Sequence, residues 1–259
     1  CFISGYTRGT YNTTKSLLKD LGFEHIFKLV ETQIDALYNK KIGETPLEAI
    51  QRFREEHPKL LSEKISYAGR LDPMAEGMLL LLIGEENKKR QYYLNLDKEY
   101  VSEIVLGIET DSFDSLGLVS KISPIRQISI SEIDGILKGF VGTREQEYPP
   151  YSSKTVNGKP LYWWARNNKL SEIQIPKRKI SIHELQALSY REIEGIELKK
   201  EVIKKINLVN GDFRQKEILS AWEYFGKQNE KNIYQVIKIR ALCSSGTYIR
   251  KLAFDFGRK

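Results

Sequence analysis

Apolar and polar positions alternate near the end of the chain, where Ile237, Ile239, Ala241 and Cys243 are separated by Lys238, Arg240 and Leu242. Successive side chains of a strand point to opposite faces, so this period of two predicts a half-buried strand. The spacing then changes. Beyond the turn-forming Ser244-Ser245-Gly246, Ile249, Leu252, Ala253 and Phe256 recur three or four apart and predict a helix, with Gly257 in position to cap it. Met78 to Ile83 is a continuous apolar run that predicts a buried strand stopped by Gly84. Lys98 to Gly107, rich in Tyr, Val, Ile and Leu, predicts another, with turn chemistry following at Asp111-Ser112-Phe113-Asp114.

Helices are announced by their ends. Thr45 has the character of an N-cap, Pro46 suits the first helical position, and Glu48 closes a capping box. Leu47, Ile50 and Phe53 then repeat at helical spacing until His57-Pro58. Shorter helices are predicted over Ile130 to Phe140 and Leu161 to Asn167, and an amphipathic one over Phe213 to Phe225 with Ile218, Trp222 and Phe225 on one side. Lys179 to Tyr190 and Glu197 to Ile206 read as strand or mixed strand–helix pieces. Helices and strands are mixed irregularly, without a βαβ series or internal repeat. The fold class is therefore α+β.

Charge adds a partner class to this outline. The 259 residues carry a formal net charge of +7. Nearly all of the excess falls between Pro150 and Ile180, where Lys154, Lys159, Arg166, Lys169, Lys177, Arg178 and Lys179 face only Glu172. A concentrated basic stretch suits a phosphate backbone, with a solvated lysine-rich loop as the alternative. Cys1 and Cys243 lack disulfide or metal spacing, and His25, His57 and His183 are scattered, so no metal site is expected. The longest apolar run is too short to span a bilayer and the N-terminus has no secretory pattern, which leads us to expect a cytoplasmic protein.

One carboxylate stands out. Tyr67-Ala68-Gly69-Arg70-Leu71-Asp72-Pro73-Met74-Ala75-Glu76-Gly77 holds Asp72 between two glycines and beside a proline, directly before the apolar run. Glycine permits backbone shapes that other residues resist and proline fixes φ, so the loop is shaped rather than regular. An acid presented there is a candidate for chemistry, while an ordinary Asp-Pro turn would use the same residues.

Three more segments change the balance. These are Tyr38 to Pro46 (YNKKIGETP), Tyr148 to Lys154 (YPPYSSK) with Gly158 to Arg166 (GKPLYWWAR), and Cys243 to Arg250 (CSSGTYIR). With the Asp72 loop, their order and spacing across roughly residues 38 to 257 resemble the TruB family of tRNA pseudouridine synthases. The family's patterns at these segments are K-x-x-G-x-T, G-x-L-D-P-x-A-x-G, Y-S-A-x-K-x-x-G and G-T-Y-I-R. The resemblance implies a pseudouridine synthase fold with a mixed, largely antiparallel sheet. It also implies isomerisation of a uridine in the T-loop of tRNA (position 55), without metal or cofactor. Asp72 is then the catalytic aspartate, Tyr100 the tyrosine that stacks on the base, and Arg250 the arginine paired with Asp72. Tyr67, Arg70, Lys98, Tyr151, Lys154, Lys159 and Arg166 become candidate RNA contacts. The expected partner is the T arm of tRNA, bound by a monomer.

The chain departs from the family pattern in places. Tyr67 stands where relatives commonly carry a histidine, Arg70 where many have threonine, and Lys40-Lys41 where Lys-Pro is usual. Residues 1 to 34 have no counterpart ahead of the catalytic domain, expected over 35 to 259. No PUA domain is expected. Cys1 to Asn12 (CFISGYTRGTYN) faintly resembles the strand that normally follows the last helix, so this segment is expected to supply it in permuted order near Ile249. Alternatives remain: a guide-RNA-dependent relative of the Cbf5/dyskerin group, a catalytically silent tRNA-binding or folding protein, and a glycosidase using Asp72 and Glu76.

Overall fold

The helix start at Thr45 forms as its sequence dictates. In this computed structural model, which describes residues 2–8, 37–123 and 127–259, the Thr45 hydroxyl accepts from the Glu48 N–H while the Glu48 carboxylate accepts from the Thr45 N–H. Both ends of the capping box are therefore satisfied at the start of α1 (Pro46–Glu56). Ile50 and Phe53 turn inward, and the full burial of Phe53 contributes about 2–3 kcal/mol. Leu47 corrects the predicted stripe. It is 68% exposed and faces the mouth of the cleft described below.

The strands are β1 (Phe2–Arg8), β2 (Leu37–Lys40), β3 (Ile65–Ala68), β4 (Ala75–Ile83), β5 (Lys98–Val105), β6 (Ile108–Thr110), β7 (Val119–Ile122), β8 (Gly142–Glu147), β9 (Thr155–Val156), β10 (Lys159–Pro160), β11 (Lys177–Glu194) and β12 (Ile233–Cys243). The helices after α1 are α2 (Arg90–Leu94), α3 (Ile130–Lys138), α4 (Leu161–Arg166), α5 (Gly195–Ile206), α6 (Gln215–Gln228) and α7 (Ile249–Phe256). Among the described residues the main sheet runs β2-β4-β1-β5-β12-β11-β8, with β3 also paired to β4. All its pairings are antiparallel except β1 with β4. The fold is α+β with a mixed, largely antiparallel sheet.

Both faces of the sheet are covered, and β12 shows how. Ile237, Ile239, Ala241 and Cys243 enter a core shared with α3 and α7. Tyr234 and Val236, of opposite parity, enter a second core with Val202, Ile218, Trp222 and Phe225 of α5 and α6. The helix face predicted at Ile249, Leu252, Ala253 and Phe256 is buried. Gly257 closes α7 with φ −69°, an ordinary right-handed value rather than a left-handed cap.

β1 has an unusual position. It lies inside the sheet, between β4, which leaves the Asp72 loop, and β5, which carries Tyr100. Tyr6 is in register with Ala75, and Arg8 with both Gly77 and Tyr100. α7, which begins at Ile249, packs against this strand. The rest of the N-terminal segment, Cys1 and residues 9–34, lies outside the described residues. No helix among the described residues is long and apolar enough to cross a membrane.

Candidate active site

The Asp72 loop joins β3 to β4 and is fixed from below. Leu71, Met74 and Ala75 are buried, so the chain on both sides of Asp72 and Pro73 is anchored. Gly69 and Gly77 take φ values of 88° and 109°, which side-chain-bearing residues resist. The Asp72 carbonyl accepts from the Ala75 N–H at 2.9 Å and closes the turn, and the Pro73 carbonyl accepts from the Gly43 N–H at 2.8 Å. Lys40 is fully buried beneath and donates to the carbonyls of Ala75 (2.5 Å) and Lys41 (2.9 Å). Burial lowers its pKa to about 8, against the pull of Glu44, Asp72 and Glu76. The Lys40 to Thr45 motif thus supports the loop that presents the acid.

Arg250, in the first turn of α7, meets that acid. Its guanidinium is buried, and each edge has an acceptor. Nε donates to Asp72 Oδ2 at 3.0 Å, Nη1 to the Ser112 carbonyl at 2.9 Å, and Nη2 to the Tyr151 carbonyl at 2.8 Å. A planar fork held at three points cannot swing, so Arg250 fixes the direction of the Asp72 carboxylate. The Asp72 side chain keeps 26% of its surface exposed and remains reachable from the cleft.

A second carboxylate shares this arginine. Asp114 Oδ2 lies 3.9 Å from Arg250 Nε, and its Oδ1 accepts from the Ser112 hydroxyl (2.7 Å) and the Leu116 N–H (3.0 Å). Burial raises the Asp114 pKa to about 6, the attraction of Arg250 opposes this, and the nearby Asp72 charge adds to it. Because folding raises this pKa, the group favours the fold at low pH, and that contribution is lost as pH climbs through about 6. Below that pH, Arg250 loses one of its two anionic neighbours. We therefore expect the kcat/KM of any reaction that uses the Asp72–Arg250 pair to fall as pH drops below about 6. Asp114→Asn should flatten that acid limb and lower the plateau. A pH–rate profile of both proteins checks this, and an identical acid limb in the variant would count against it.

The other candidates fall into two groups. Tyr67, Arg70, Lys98, Tyr100, Tyr151 and Arg166 line one cleft of about 860 Å³ together with Asp72 and Arg250. Tyr100, on β5, is largely buried at its floor. Lys98 donates to the carbonyls of Leu94 and Leu96, which holds its ammonium against the turn before β5. Tyr151 donates from its hydroxyl to Asp111 Oδ2 at 2.9 Å, and Arg166 is ion-paired with Asp212 at 3.3 Å. Lys154 and Lys159 stand outside the cleft, exposed on the β9–β10 hairpin, their ammonium groups over the rings of Tyr148 (5.5 Å) and Trp163 (5.3 Å).

Sequence reasoning missed several residues of this site. Asp114 and Ser112 were visible only as turn formers, although two acids three residues apart in one tight turn were a usable signal. Arg178, counted in the basic stretch, points inward and donates to the Ser245 carbonyl at 3.1 Å. Arg214 had no local signal, because Asp111 and Tyr151 reach it only in the folded chain.

A loop-borne carboxylate is thus bonded to a buried arginine in a cleft with a basic and aromatic rim. The TruB family pseudouridylate synthase (N terminal domain) model matches residues 58–206. A tRNA pseudouridine synthase B of Francisella tularensis subsp. tularensis is 35% identical over 198 residues, which cover 76% of this chain and 51% of that protein. Its counterpart in Francisella philomiragia is 34% identical with the same coverage. Among solved structures, a Cbf5-Nop10-Gar1 complex aligns with 86% of this chain and 43% of its own, at 17% identity and a TM-score of 0.49. The chain belongs to the TruB family of pseudouridylate synthases. It spans about half the length of the curated relatives it matches.

Proposed function

We propose that the chain isomerises uridine to pseudouridine in tRNA, at the T-loop uridine of position 55, as a stand-alone cytoplasmic enzyme. The observation that carries this reading is the Asp72–Arg250 ion pair, open on one side to a cleft that Tyr100 floors. In this reading the target nucleotide leaves the RNA stack before its sugar can meet a protein carboxylate. Asp72 supplies negative charge at the sugar while the bond from C1′ to N1 breaks. The base turns, C5 bonds to C1′, the proton on C5 leaves, and N1 takes up a proton from solvent. The product is an isomer, so the steps call for no oxidant or reductant. Tyr100 stacks on the base and assists at C5, and the ring of Tyr67 takes the place of the family's histidine against the opened stack.

The outer residues bind RNA in this proposal. Arg70, Lys98, Lys154, Lys159 and Arg166 neutralise phosphates, with Tyr151 and neighbouring rings as stacking surfaces. Affinity for T-arm RNA should then weaken more than about tenfold between low and moderate salt, because each phosphate contact releases counterions. A flat dependence in a filter-binding or anisotropy titration would remove the patch from the proposal. Activity is tested on unmodified tRNA transcript without guide RNA or partner proteins, and pseudouridine at position 55 is the expected product. Product that appears only when guide RNA is added would favour the Cbf5/dyskerin type instead.

A further inference from the structure

β11 and β12 are direct antiparallel neighbours, which two residues suffice to join. The chain instead inserts the α5–α6 hairpin between them. Its connecting segment, 207–214, reaches back to the cleft, where Asp212, Phe213 and Arg214 form part of the wall. The Leu208 carbonyl packs against Gly43 so closely that a Cβ there would stand 2.0 Å from its oxygen. The segment is therefore seated on the Lys40 to Thr45 loop that supports Asp72.

Arg214 is its most constrained residue. Its backbone is left-handed, with φ 62° and ψ 30°, a conformation that costs a residue with a Cβ about 1 kcal/mol and that glycine would adopt freely. The side chain supplies what glycine lacks. Nη1 and Nη2 donate to Asp111 Oδ2 and Oδ1 at 2.8 and 3.3 Å, and the guanidinium lies over the Tyr151 ring at 4.3 Å from its centroid. Tyr151 also donates its hydroxyl to Asp111 Oδ2. Its ring and hydroxyl are thus both fixed through the Arg214–Asp111 pair, and its carbonyl accepts from Arg250 Nη2. A continuous path runs from Arg214 through Tyr151 to Arg250 and Asp72.

We infer that Arg214 is a positioning residue for uridine isomerisation: with Asp111 it fixes Tyr151, whose carbonyl aims the Arg250 guanidinium at Asp72. The inference rests on the proposed function for its kinetic part and on geometry for the rest. With its hydrogen bonds on Asp111 and its face on Tyr151, Arg214 acts within the wall rather than as a phosphate contact. The path is sensitive because a displacement of about 1 Å at a reacting group costs on the order of a hundredfold in rate.

Two measurements on Arg214→Ala and Arg214→Lys test it, each with melting followed in parallel. In turnover on tRNA transcript, Arg214→Ala should lower kcat about 10- to 100-fold with KM little changed. Arg214→Lys should recover part of the loss, since lysine keeps the charge on Asp111 but not the fork or the stacking. A rise in KM with unchanged kcat would make Arg214 an RNA contact and overturn the inference. So would equal losses in both variants that track a lower melting temperature. The second measurement needs no activity. The Arg250 Nε–H resonance, assigned by its loss in Arg250→Lys, should shift and exchange faster with solvent in Arg214→Ala, and return towards wild type in Arg214→Lys. An unchanged resonance sinks the inference whatever the turnover shows, whereas an inactive wild type with the expected resonance shift would sink the proposed function and leave the positioning intact.

Discussion

Asp72→Asn is expected to lower the rate of pseudouridine formation by about 10⁴-fold or more, the scale of removing a principal catalytic group. Its effect on tRNA affinity and on folding should be small, for structural reasons. Asparagine has nearly the same shape, and its carbonyl oxygen can still accept from Arg250 Nε, which holds the acid at 3.0 Å. The guanidinium keeps its bonds to the Ser112 and Tyr151 carbonyls and its anionic neighbour Asp114. The turn closed by the Asp72 carbonyl and Ala75 N–H involves only backbone. What disappears is the negative charge facing the cleft. Single-turnover assays beside equilibrium binding of the same RNA separate the two effects. A variant that lost binding and rate together would mean that Asp72 shapes the site rather than reacting in it.

Arg250→Ala should do the opposite to stability. The arginine is only 4% exposed and is bonded to one carboxylate and two carbonyls, with a second carboxylate at 3.9 Å. Without it, Asp72 and Asp114 face each other with no cation between them, and two inward carbonyls lose their donors. Breaking a buried ion pair from one side costs about 3–5 kcal/mol. We expect a loss of that order in chemical denaturation, together with loss of activity. Arg250→Lys should be less destabilised, since an ammonium can answer one carboxylate, yet it cannot serve three acceptors and should stay nearly inactive. A lysine variant with near wild-type turnover would show that charge alone is required and that the three-way hold is not. The contrast between Asp72→Asn, folded and inactive, and Arg250→Ala, destabilised and inactive, distinguishes the acid from its support.

Much of this was legible along the chain, for local reasons. The capping box at Thr45, the alternation in β12 and the stripe on α7 are written in neighbouring residues, and all three form. β11 was harder because register shifts between Ile182 and Glu184 and between Ala187 and Ser189 break its period of two. Its 18 residues therefore do not read as one strand. Leu47 fits a helical stripe by spacing, but nothing local reveals that the cleft, not the core, lies beside it. The site divides similarly. Asp72, Tyr100 and Arg250 were nameable because each sits in a recognisable segment, and the fold brings them to one cleft. Asp114 was hidden because its importance comes from Arg250, far away in sequence. Arg214 was hidden for the same reason, since Asp111 and Tyr151 join it only when the α5–α6 hairpin folds back.

Whether the Asp72 carboxylate drives base isomerisation on RNA is tested most directly by pseudouridine mapping of a T-arm RNA treated with wild type or Asp72→Asn. Wild type should leave a pseudouridine at the T-loop position and the variant none, although both bind the RNA. Equal pseudouridine from the two proteins would contradict that role for Asp72.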